Sequence, residues 1–246
     1  MRDAVKTSLW AGAAVLALAP AAIAADIAML VGTAEEHGEE LTLLGDVLNA
    51  RGYEVYDRQG ATRADFAAAL REVAARLPEA ERLLLVFAGA ARTAGERAWL
   101  LPGGFAGEGR IDAALEGVPL ELLLDIAAEA PGRAAVVVAT EAAGDAAADE
   151  SFLALTPGVG APEVPQGVLL VAGPLEPTLR LVSERLLVET GGVAEALTGA
   201  PEDVAIFGFR SPEAAFVNPA PATVAPPAER VAAEPPAERP ADPPAE

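Results

Sequence analysis

The sequence predicts an α/β fold: a mostly parallel central sheet of about six strands, covered by helices on both faces in three layers. Three observations predict it. Short, continuous apolar runs such as Ile27-Ala28-Met29-Leu30-Val31 and Leu83-Leu84-Leu85-Val86-Phe87 suit strands buried on both sides. The segments between such runs carry apolar residues at helical spacing. Glycine and proline punctuate the changeovers. Strands alternating with helices imply a sheet with parallel neighbours.

Each element follows in order. The first strand, residues 27–31, closes at Gly32. Leu41, Leu44, Val47 and Leu48 mark one face of a helix over 36–51, stopped by Gly52 at its carboxyl end. Residues 53–56 form a second strand. Thr62 with Asp65 three residues on forms an N-cap, and Phe66, Leu70, Val73 and Leu77 share one face until Pro78. Residues 83–87 are the third strand. Ala98 to Leu101 is a short extended piece closed by Pro102-Gly103-Gly104. Pro119 opens a helix with Leu122, Leu123 and Ile126 inward. Strands follow at 134–139 and 167–172. Residues 179–188 and 193–197 are helical, split by Gly191-Gly192, and 204–209 is a sixth strand.

The two ends read differently. Residues 1–25 carry Arg2 and Lys6, then an uncharged apolar stretch, then Pro20 and the small residues Ala22 and Ala24. That is the layout of a secretory signal peptide, and the apolar stretch is shorter than the ~20 residues of a spanning helix. The expected destination is the periplasm or the exterior, with no membrane anchor after cleavage. Lys6 is the only lysine, which with the abundant alanine points to a GC-rich bacterial genome. The domain spans 26–217. Residues 218–246 are rich in Pro, Ala and Glu and hold Val224 and Val231 as their only branched apolars, too few to offset ordering entropy. Such a tail is expected to be disordered with polyproline II character. It reads either as a solubilising tail or as a spacer or ligand for a proline-binding partner.

Composition excludes several functions. No cysteine means no disulfide, no thiolate metal site and no cysteine nucleophile. His37 is the only histidine, so no multi-histidine metal site can form. A net charge of −20 opposes binding to nucleic acid or to an anionic membrane. No cofactor is expected.

In parallel sheets, sites form beyond the carboxyl ends of the strands. Here those ends are 32–36, 88–92 and 140–144. The third strand runs into Phe87-Ala88-Gly89, and Gly95-Glu96-Arg97-Ala98-Trp99-Leu100-Leu101-Pro102 follows. This series resembles the caspase and metacaspase-like cysteine peptidases in their bacterial form, in which a glycine-histidine-glycine turn ends the strand and a glycine-polar-x-aromatic-Leu-x-Pro segment follows. Met29-Leu30-Val31-Gly32 and the step from Leu48 through Gly52-Tyr53 to Val55 resemble the earlier part of that family's domain. The likeness covers about residues 26–145, with a topological echo from Gly167 to Phe209. It implies a caspase-like three-layer sandwich. The family's histidine position falls on Ala90, its second glycine on Ala91, its aspartate on Thr140 and its cysteine on Ala142, within one residue of register. The family mechanism needs a thiolate and a histidine, and alanine supplies neither. The resemblance therefore implies a pseudoenzyme whose old groove, Gly89, Ala90, Ala91, Thr140 and Glu141, binds an unidentified protein or peptide. A homodimer through an edge strand also follows from the likeness.

Other constellations are weaker. His37 could serve a hydrolase with Thr140 or Ser151 as nucleophile, but an exposed histidine at a helix start is the expected reading. Glu35, Glu36, Glu39 and Glu40 suit a helix start, where the dipole favours acids, better than a cation site. Gly103, Gly104, Gly107 and Gly109 do not sit between strand and helix, so they form no phosphate loop. Asp145, Asp149 and Glu150 read as an acidic loop. A passive envelope protein is the remaining alternative.

Overall fold

A computed structural model describes residues 25–34, 37–107, 109–141, 154–188, 191–212 and 216–217. The signal-peptide and tail assignments, and Glu35, Glu36, Ala142, Asp145, Asp149, Glu150 and Ser151, lie outside the described residues.

Six strands form the central sheet: β1 (Ala25–Gly32), β2 (Tyr53–Arg58), β3 (Ala80–Gly89), β7 (Ala134–Thr140), β9 (Val168–Pro174) and β10 (Ala205–Gly208). Their spatial order is β10-β9-β7-β3-β1-β2. Every neighbouring pair is parallel except β9 with β10, which is antiparallel. The strands read as continuous apolar runs because each faces two cores. Ile27, Met29, Val31, Leu83, Leu85 and Phe87 pack into one hydrophobic cluster. Ala28, Leu30, Leu84, Val86 and Ala88 pack into the other.

Helices α2 (Arg63–Arg76) and α4 (Leu120–Ala128) cover the first face. Helix α1 (Gly38–Ala50), helix α5 (Leu175–Leu181) and the short α6 (Val193–Ala196) cover the second. The fold is thus a three-layer α/β sandwich with a mostly parallel six-stranded sheet, as the sequence predicts. Alanines at 28, 88, 135 and 139 thin the second face. There, Gly45 of α1 lies so close that a Cβ on it would stand 3.4 Å from Leu30 Cδ1.

A second, four-stranded sheet lies beside the first face. It orders β6 (Val118–Pro119), β5 (Arg97–Leu100), β4 (Ala91–Ala94) and β8 (Thr156–Pro157). The sequence reading foresees only β5 of this sheet. Helix α3 (Arg110–Glu116) is also unforeseen, because its large apolars Ile111 and Leu115 face solvent and only Ala113 is buried. Leu122, expected inward on α4, is 44 % exposed, while Leu120, Leu123 and Leu124 are buried. The helix expected over 179–188 starts earlier, at Leu175, and widens into a π-helical turn over Val182–Leu186, where Leu187 N–H donates to the Val182 carbonyl.

Two predicted signals are present as built devices. Thr62 and Asp65 form a full capping box at the start of α2. Gly52 adopts φ +89° after α1, a conformation that suits glycine. At the amino edge of the sheet, Asp26 and Arg82 pair at 3.3 Å, both buried. Burial pushes the Asp26 carboxyl above its ordinary range. The Arg82 guanidinium opposes that rise, and Glu81 adds to it. Among the described residues no helix is long and apolar enough to cross a membrane.

Candidate functional site

The carboxyl edge of the sheet gathers the ends of β1, β3, β7 and β9. Hydrophobic strands bring these ends into register: Gly32 faces Ala88, Gly89 faces Thr140, and Thr140 faces Pro174. Thr33 N–H donates to the Ala88 carbonyl at 3.1 Å, so the chain leaving β1 stays pinned to β3. That closeness explains Gly89. A Cβ there would lie 2.0 Å from Thr33 Oγ1, so only glycine lets the two segments approach without displacement.

The Pro102-Gly103-Gly104 turn closes the side next to β2. Gly103 N–H donates to the Ala61 carbonyl at 2.8 Å, and a Cβ on Gly103 would meet the Thr33 carbonyl oxygen at 2.8 Å. Backbone packing, not phosphate binding, thus accounts for this glycine.

The sequence-predicted groove residues separate. Gly89 and Thr140 are adjacent across the β3–β7 ladder. Ala90 follows as a half-buried residue against Trp99, Leu101 and Ala113. Ala91 does not line a groove: it opens β4 opposite Leu100, is 1 % exposed and gives its methyl to the core. Glu141 is exposed at the end of β7.

His37 departs from expectation. It is 3 % exposed, not a solvent-facing helix start. Its imidazole approaches the end of β7, with His37 Nε2 3.5 Å from Glu141 Oε1. That separation is long for a hydrogen bond. His37 Nδ1 is buried without a partner among the described residues. Periodicity could not have shown this pairing, since the two residues come from distant parts of the chain.

Thr140 is engaged elsewhere. Its hydroxyl donates to the Gly173 carbonyl at 3.1 Å. It also borders a cavity of about 170 Å³ at the end of β7 and β9, lined by Gly158, Val159, Gly160, Gly173 and Ala205. Sequence reasoning missed this hollow. Its signal was the glycine pair 158 and 160, both at positive φ. The cavity matches a small side chain or a few waters in size.

Chemically, the edge offers an imidazole with a carboxylate beside it, a hydroxyl bonded to a backbone carbonyl, and methyls at Ala90. Among the described residues no group of three or more His, Asp or Glu could hold a metal ion.

No family model matches the chain, and no curated protein matches it. Among solved structures, protein GSU0716 from Geobacter sulfurreducens is similar over 80 % of this chain and 98 % of that chain, with a TM-score of 0.48 and 11 % identity.

Proposed function

We propose that this chain is an exported, catalytically inactive relative of the caspase-like cysteine peptidases that acts by binding a protein or peptide in the cell envelope. One observation carries the reading. Ala90 directly follows Gly89 at the carboxyl end of β3, beside Thr140 of β7, and a methyl stands where the resemblance requires an imidazole. The chain has no cysteine to complete the pair. A methyl transfers no proton, and losing such groups costs orders of magnitude in rate. What remains at the edge is recognition chemistry: the exposed Glu141 carboxylate, the hollow beside Thr140, and backbone.

A second reading is a hydrolase using His37 with Thr140 or Ser151. The contact of Glu141 with His37 favours it, since a carboxylate beside an imidazole is how catalytic histidines are oriented. Against it, the Thr140 hydroxyl proton goes to the Gly173 carbonyl.

The test installs a photoreactive residue at Ala90 of the full chain, with one at the exposed Leu43 as control, and irradiates the cell of origin. A single adduct formed from position 90, absent from position 43 and lost on Glu141→Arg, is the expected result. Hydrolysis of a fluorogenic peptide or ester panel that His37→Ala abolishes would replace this reading with the hydrolase. Absence of any adduct from position 90 would remove the binding role.

A further inference from the structure

On the face of the molecule that carries α2 and α4, the two helices leave a trough of about 420 Å³ between them. Its cause lies in the sequence of α2. Ala67 and Ala74 stand on that wall, where larger side chains would close the gap, while Pro119, Leu122 and Ile126 form the facing wall. The partial exposure of Leu122 follows, because it looks into this trough and not into the core. The trough is apolar except for Arg63 and Arg71, and no acid lines it. In a chain of net charge −20, two arginines on an apolar floor without an acid form a local inversion of sign. Arg63 donates one N–H to the Leu115 carbonyl and keeps further donors of its guanidinium. Arg71 is exposed and has no ion-pair partner among the described residues.

We propose that this trough is the docking site of the chain's own acidic, proline-rich segment beyond Val217. Three observations fit that occupant. The first is where the described chain ends. Tyr53 Oη donates to the Phe216 carbonyl at 2.7 Å, which fixes the exit point at the start of β2, an edge strand. The next residue, Glu54, pairs with Arg76 at the carboxyl end of α2 at 2.9 Å. Tyr53 and Phe216 pack on the opposite face of the sheet, so the segment leaves at the β2 edge and rounds it to reach the turns of α2, at Ala74 and Arg71, that line the trough.

The second is length. Residues 218–246 number 29 and reach up to about 90 Å in polyproline II geometry. Glu234 lies 17 residues past Val217, with about 50 Å of reach, enough to round one sheet edge.

The third is charge and spacing. The segment holds Glu229, Glu234, Glu238, Asp242 and Glu246 against Arg230 and Arg239. Acids four residues apart in polyproline II are about 12 Å apart. Arg63 and Arg71, eight residues apart on an α-helix, are also about 12 Å apart along its axis. In the proposed docking, antiparallel to α2, Glu234 would meet Arg71 and Glu238 would meet Arg63, with Pro235, Pro236 and Ala237 over the alanines between them. The tether holds the segment at an effective concentration on the order of millimolar, so modest contacts suffice for occupancy.

The absence of native cysteine makes the test clean. A nitroxide is attached at Ala237→Cys in the full chain, and the methyl signals of Ala67, Ala74, Leu122 and Ile126 are followed by NMR. Docking predicts that these signals lose about half their intensity or more, given a tethered, largely occupied contact. Arg63→Glu with Arg71→Glu should restore the intensity, and adding Glu234→Arg with Glu238→Arg should bring the loss back. Ala67→Leu with Ala74→Leu fills the trough without altering charge and should also abolish the loss at the remaining Leu122 and Ile126 methyls, which keeps the test decisive if the charge reversal unfolds the chain. Unbroadened methyls would overturn the proposal. So would broadening unchanged by the arginine pair and by the alanine pair of substitutions, or broadening seen only when labelled and isotope-enriched chains are mixed, which would make the occupant a second copy.

Discussion

Gly89 shows how one residue can set the shape of the carboxyl edge. Its side-chain hydrogen occupies the place where any other residue would put a Cβ 2.0 Å from Thr33 Oγ1 and 3.1 Å from the Phe87 ring. The reason to hold these segments so close is the ladder itself: Thr33 N–H continues the β1–β3 bonding onto the Ala88 carbonyl. Gly89→Ala should therefore destabilise by about 1–3 kcal/mol, the range for forcing an extra carbon into packed surroundings. Thr33→Ala removes the hydroxyl that the new methyl meets, so the double variant should recover part of the loss. Urea midpoints of the four chains in this cycle measure the coupling. Additive losses would mean that the crowding comes from Phe87 and not from Thr33. The same residue explains why the neighbouring positions diverge in fate: once Gly89 turns the chain, Ala90 is left half-buried at the edge while Ala91 enters the second sheet and the core.

Helix α2 is the element on which most of the molecule's legible signals converge. Thr62 accepts from the Asp65 N–H, and the Asp65 carboxylate in turn accepts from the Thr62 hydroxyl and N–H. Those bonds hold the Asp65 carboxyl below the usual carboxylate range. A depressed folded pKa contributes stability that is present above the unfolded value and lost as pH falls through the folded one. Thr62→Ala should lower stability at neutral pH by about 0.5–2 kcal/mol, as for other N-caps, and its thermal midpoint should depend less on acidification. An unchanged acid limb would show that another carboxylate governs it. This cap was readable from the sequence because it depends on residues three apart. The strands were readable for a related reason, since burial on both faces turns each into a continuous apolar run. Helix α3 and strands β4, β6 and β8 were not: all four are short, and β6 and β8 find their partners elsewhere in the chain. At the site, the resemblance put Gly89 and Thr140 near one another, and the β3–β7 ladder makes them neighbours, a strand order that the sequence alone does not give. The approach of His37 to Glu141 was not legible, because the two residues are far apart in the chain and no local pattern links them.

At the scale of the whole molecule, the two edges of the central sheet differ in how well they are protected against pairing. Strand β2 presents Glu54, Asp57 and Arg58, with Glu54 and Arg58 tied into ion pairs with Arg76 and Glu72, and charges of this kind discourage edge pairing. Strand β10 has no charged residue, is antiparallel, and carries the half-buried Ile206 and Phe207. Its protection is slight: it is four residues long, and Arg210 donates to the Ile206 carbonyl at 3.2 Å. A homodimer through an edge strand, which the family resemblance implies, would on these grounds use β10, and we propose that contact for test. The net charge of −20 works against it, because two copies repel until salt shortens the screening length from about 30 Å at 0.01 M to about 8 Å at 0.15 M. Sedimentation equilibrium should accordingly show a monomer at low salt and a growing dimer fraction as salt rises. Ile206→Pro, which removes a ladder donor, should leave the chain monomeric throughout, while Glu54→Ala on the opposite edge should change nothing. A dimer that survives Ile206→Pro, or that weakens with added salt, would place the contact on another surface and make attraction between charges its cause.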